Sequence, residues 1–177
     1  MSRFVALLRG VNVGGAKRVP MAAWRASLEA LGCTRVQTLL NSGNAVFDAA
    51  RGTPVRHAAQ IRTALVQDIG VDALVVVKTA ANVAAMVAEN RLAAETDNPS
   101  LLLAAMTQDP KLLAALSALT RVDGGREKLL LGQHAAYLWC PDGSLQSRAA
   151  SALMTELKDQ GTTRNWATML KIDALLA

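Results

Sequence analysis

The sequence predicts an α+β fold, an α/β sandwich of two ferredoxin-like lobes with antiparallel sheets, the second lobe ending in an extra helix. Three observations predict it. The first half reads strand, helix, strand, strand, helix, strand, the order of a split β-α-β unit. The second half repeats most of that order. Apolar residues make up 51% of the 177-residue chain, enough to bury a sizeable core and to disfavour disorder.

The elements follow from local pattern. Arg3–Leu8 is apolar almost throughout, as a central strand should be. PMAAWRASLEALG reads as a helix: Pro20 suits a first helical position, and Met21, Trp24, Leu28 and Leu31 form one apolar stripe. Gly32 stands where a left-handed C-terminal cap is wanted. Arg35–Leu40 and Ala45–Ala49 read as strands joined by the turn NSGN, Val55–Asp68 as a helix stopped before Gly70, and Ala73–Val77 as the fourth strand. Thr79–Asn90 then predicts a helix, Ser100–Thr107 a strand and Pro110–Leu119 a helix. Lys128–Leu131 and Ala135–Cys140 make a hairpin, and Ser147–Lys158 and Trp166–Leu176 the last two helices. In this reading a helix replaces the fourth strand of the second lobe. Residues 1–78 and 79–177 form the two lobes, packed as one compact unit, with a linker near Lys78–Asn98.

Charge is distributed unevenly. Through Phe47, six cations (Arg3, Arg9, Lys17, Arg18, Arg25, Arg35) face Glu29 alone; beyond it 13 cations meet 13 acids. The whole excess of +5 therefore sits in the first quarter, which favours an anionic partner over a plain solvated surface only if a site accompanies it. No apolar run approaches the roughly 20 residues of a membrane span, and MSRFVALLRG lacks the long apolar region and cleavage site of a secretory signal. The reading is a cytoplasmic protein with no membrane partner.

The stretch LLRGVNVGGAKRVP (Leu7–Pro20) runs an apolar strand into a glycine-rich basic loop. It is not a Walker loop. Gly10 and Gly15 have the GxxxxGK[ST] separation, but Ala16 stands at the lysine position and Arg18 replaces the hydroxyl that would hold magnesium. GxGxxG is absent too, so the sequence identifies no cofactor. What survives is weaker: Gly10, Gly14 and Gly15 suit an anion-binding nest, and Arg9, Lys17 and Arg18 suit a phosphate or carboxylate. A flexible turn with solvated cations is the competing reading.

Other chemistry finds little support. Cys33, Cys140, His57 and His134 are scattered, without the clustering a metal site takes, and buried free thiols explain the cysteines. The five glutamates form no paired-carboxylate site, and Ser147-Arg148 lacks the lysine of an SxxK pattern. Two polar clusters remain. Asn41, Ser42 and Asn44 of NSGN serve a turn or a ligand. GTTRNW (Gly161–Trp166) reads as the connection between the last two helices, with Thr163 or Asn165 as an N-cap. Arg164 and Trp166 either pack together or stack on a base.

Taken together, LLRGVNVGGAKRVPMAAWRASLEALG, TLLNSGNAVF, YLWCPDG and TTRNWATMLK resemble the bacterial family called domain of unknown function 1697 over essentially the whole chain. Asn41 stands where that family usually has glutamine. SLQSR follows Pro141-Asp142-Gly143 where a small residue, arginine, serine and lysine are common. The resemblance implies a duplicated ferredoxin-like α+β protein and brings no established activity.

The functional expectation is a groove for a phosphate-bearing ligand, a nucleotide or nucleic-acid segment. Its candidate residues are Arg9, Asn12, Gly14, Gly15, Lys17, Arg18, Asn41, Ser42, Asn44, Thr163, Arg164, Asn165 and Trp166. The rivals are an enzyme on a small anionic metabolite, for which no catalytic base stands out, and a protein-interaction or dimerisation module. The sequence leaves the oligomeric state open.

Overall fold

A computed structural model describes residues 1–15, 17–121 and 125–177. The chain divides into two compact units, one of Met1–Ala80 with Leu175–Ala177 and one of Ala81–Ala174. Each is a four-stranded antiparallel sheet with helices, and the two sheets share one topology.

In the first unit β1 (Ser2–Leu8), α1 (Met21–Ala30), β2 (Thr34–Leu39), β3 (Asn44–Ala49), α2 (Pro54–Ala64) and β4 (Val75–Thr79) give the sheet order β2-β3-β1-β4. β1 is central and pairs antiparallel with β3 and β4. Its near-continuous apolar run follows, since both faces of a central strand need covering. Phe4, Ala6 and Leu8 point to the helical layer, where Phe47, Ala45 and Val77 join Trp24 and Leu28 of α1 and Ile61 of α2. Val5, Leu7, Val46 and Val76 on the opposite face are fully buried as well. Phe4 and Phe47, directly paired across the strands, stack with ring centroids 5.6 Å apart. α2 ends in a π-turn, Leu65–Ile69, and Gly70 closes it at φ 76°, the left-handed conformation that glycine adopts without strain.

The second unit repeats the plan. α3 (Ala80–Glu89), which starts at the last residue of the first unit, leads to β5 (Leu102–Thr107), a 3₁₀ helix (Pro110–Arg121), β6 (Lys128–Leu131) and β7 (Ala136–Trp139). α4 (Arg148–Leu157), β8 (Gly161–Asn165) and α5 (Trp166–Leu176) complete it, with sheet order β6-β7-β5-β8. Ala105, Ala136 and Leu138 face Leu113, Leu116, Leu153 and Leu157, which form the core of this layer.

Three expectations change. GTTRNW is not a helix–helix connection: Gly161–Asn165 is strand β8, paired with β5 from Thr107↔Gly161 to Leu103↔Asn165. The second lobe therefore has its fourth strand, and α5 follows it instead of replacing it. The Thr-Thr-Arg-Asn run carries no apolar alternation, so only its partner strand reveals it. The helix expected over Thr79–Asn90 is α3, and what changes beyond it is that Arg91–Glu95 forms a short 3₁₀ segment and Pro110–Arg121 winds as 3₁₀ throughout. Among the described residues, no helix is long and apolar enough to cross a membrane.

Candidate functional site

Pocket formation in the first unit begins with one asparagine. Asn12 takes φ 57°, which its short polar side chain tolerates. Its Nδ2 donates to Val19 O (2.9 Å) and Asn41 O (2.8 Å), while its Oδ1 accepts from Val19 N (2.9 Å). Those three bonds close the glycine-rich loop on itself and fasten it to the β2–β3 turn. From the other side Leu8 N donates to Gly43 O at 2.8 Å, and a Cβ on Gly43 would fall 2.7 Å from Leu8 Cβ, so only glycine fits this approach. Asn44, fully buried, donates to Leu39 O and Ser42 Oγ and fixes the turn from within.

Between loop and turn lies a pocket of about 380 Å³, lined by Asn12, Gly15, Arg18, Val19, Pro20, Met21 and Asn41. Pro20 is the N-cap of α1. It offers no side-chain cap, and the first turn carries no acid. The positive end of the α1 dipole therefore opens onto the pocket wall that also holds Arg18. Gly10, Gly14 and Gly15 all have positive φ, and nothing lies within 4 Å of where their Cβ atoms would be. This arrangement can hold an anion without rearranging a side-chain cap. Ala16 lies outside the described residues.

Of the residues singled out in this half, Asn12, Gly15, Arg18 and Asn41 line the pocket. Ser42 and Asn44 are engaged in the turn, and Arg9 and Gly14 are not lining residues; the Arg9 backbone N–H pairs with Leu74 O. Lys17 is not a lining residue either; Asp72 has its carboxyl held low first by the hydrogen bond from Arg62 and more weakly by the Lys17 charge. Val19, Pro20 and Met21 join the site unforeseen. The helix-start signal at Pro20 pointed to the place, but no spacing rule connects it with Asn41.

The second-unit candidates have a different fate. Thr163 Oγ1 contacts Met154 sulfur, Arg164 Nη1 donates to Thr162 Oγ1 (2.9 Å) and Thr163 O (2.7 Å), and Asn165 Oδ1 caps α5 by accepting from Thr168 N (2.9 Å). Burial pushes the Arg164 guanidinium down to about 10, still charged at neutral pH. Trp166 is only 3% exposed and meets Tyr137 edge to face at 5.7 Å, so its ring is taken up by the interior and offers no stacking surface.

One polar cluster escaped sequence reading. Glu89, at the end of α3, accepts from the backbone N–H groups of Gln133 (2.9 Å), His134 (3.0 Å) and Ala135 (3.1 Å) and from the Tyr137 hydroxyl (2.8 Å). Burial raises its pKa, but the phenol and the three N–H donors outweigh that and hold the carboxyl below its usual range. The cluster pins the β6–β7 hairpin to α3. Both cysteines are buried free thiols, raised in pKa chiefly by burial.

Residues 1–137 match the profile of a family described as protein of unknown function DUF1697, and the chain belongs to it. No curated protein matches the chain. Among solved structures it is similar to the conserved bacterial protein SP0830 from Streptococcus pneumoniae, with a TM-score of 0.82 at 20% identity, covering 99% of this chain and 98% of that one. At that identity the likeness concerns the fold alone.

Proposed function

We propose that this member of the DUF1697 family binds a phosphate-bearing ligand, a nucleotide or the backbone of a nucleic-acid segment, in the pocket at the start of α1. The observation that carries the reading is the coincidence of Arg18 with the open N-terminus of α1 on one pocket wall. The positive-φ glycines beside it and the basic surplus of the first 47 residues support it. A binding role is favoured over acid–base catalysis because the pocket's lining includes neither a carboxylate nor an imidazole.

The test is a thermal-shift series at low salt with ATP, pyrophosphate and short RNA and DNA oligomers. A ligand at about 100 times its Kd adds about 2.7 kcal/mol, a midpoint rise of about 5–10 °C at this chain length. Arg18→Ala should weaken binding about tenfold or more, and binding should fall with added salt. No shift with any of these ligands, or one indifferent to Arg18→Ala, would overturn the proposal.

A further inference from the structure

A second pocket of the first unit, about 400 Å³, lies where the end of α1, the end of β3 and the start of α2 meet. Leu31 and Ile61 contribute apolar wall, and Arg51, Arg56 and Gln60 supply polar reach. Arg51 and Arg56 are exposed, and neither forms an ion pair among the described residues. His57 forms part of the same wall and is only 7% exposed, yet its Nε2 has no hydrogen-bond partner. Phe4 and Phe47 hold the imidazole, with centroids 4.8 and 5.6 Å away, so its orientation is imposed. Nε2 is sealed from solvent, and a Cβ on Gly52 would lie 2.6 Å from it, so any larger residue there would displace the ring.

We propose that this pocket binds a small organic oxyanion, a carboxylate or a phosphate ester. Arg51 and Arg56 take its charge, His57 lies beside it as part of the wall, and Leu31 and Ile61 receive its apolar body. Forked guanidinium groups suit both oxyanions, and the volume suits a ligand of modest size. The site is separate in its residues from the pocket at α1, sharing none of its lining.

The chain has two histidines, His57 and His134, and each reports by its own imidazole ¹H–¹³C signal, assigned with His57→Gln. Benzoate and phenyl phosphate are titrated separately, which distinguishes the two oxyanions. The expected result is a saturable shift of the His57 signal with one probe or both while His134 stays still. The Arg51→Ala/Arg56→Ala double variant alters only exposed side chains and should weaken that response about tenfold to a hundredfold. Arg18→Ala should leave it unchanged, which separates this site from the pocket at α1. A stationary His57 signal with both probes would overturn the proposal. So would equal shifts of both histidines, or a response that survives the double arginine substitution.

Discussion

The loop Gly10–Pro20 and the segment Gly161–Trp166 look alike in sequence: each combines polar residues, a guanidinium and a neighbouring helix start. They are put to opposite uses. In the first, a single side chain, Asn12, gathers the loop through three hydrogen bonds and leaves the N-terminus of α1 without a side-chain cap beside Arg18. In the second, β8 commits the backbone to β5, Asn165 caps α5, Arg164 is buried and Trp166 packs on Tyr137. A helix start stays open to a pocket when the chain before it curls in a loop. It becomes interior when that chain pairs as a strand, because pairing directs alternate side chains into the layers on either side.

The contrast can be broken by substitution. The largest effect should come from Trp166→Ala, about 3–5 kcal/mol of lost stability in denaturant unfolding, because it empties a buried ring site. Trp166→Phe keeps an aromatic there and should recover much of that loss. If Trp166→Ala left stability intact and reduced ligand affinity instead, the ring would belong to a site after all. Asn12→Ala should cost about 2–3 kcal/mol by losing three hydrogen bonds at a positive-φ position, and should also impair ligand binding through loop disorder. Asn165→Ala removes the cap of α5 and should lower stability by about 1 kcal/mol without touching affinity. The smallest stability effect belongs to Arg18→Ala, within about 0.5 kcal/mol, because the side chain is exposed. Its weight should fall on binding, and a larger unfolding effect would mark the loop as scaffold.

Much of the fold is legible because it rests on short-range signals. The stripe Met21, Trp24, Leu28, Leu31 and the stop at Gly32 delimit α1, and the apolar run of Arg3–Leu8 marks a strand covered on both faces. β8 is the exception, since Thr162, Thr163, Arg164 and Asn165 carry no apolar period and are strand-like only opposite Ala105 and its neighbours. The site is legible in part. Glycines, Asn12 and Arg18 announce a special loop, yet nothing in the spacing says that Asn41, 29 residues on, closes it. Glu89 and His57 look ordinary in sequence, because a carboxylate on a helix and a lone histidine acquire meaning only from what surrounds them.

By itself, then, the sequence determined most of the alternation of elements, a second half that repeats most of the first, the basic first quarter and a helix beginning near Pro20. These depend on residue periodicity, turn chemistry and charge count, which act over a few positions at a time. The tertiary structure alone decided which polar residues face solvent and which are sealed, that Gly161–Asn165 is a strand, and that Arg18 and Asn41 share one pocket while His57 waits in another. Those outcomes depend on which strands pair and which loops are stapled together. Pairing and stapling bring together residues far apart in the chain, through contacts that no local pattern encodes.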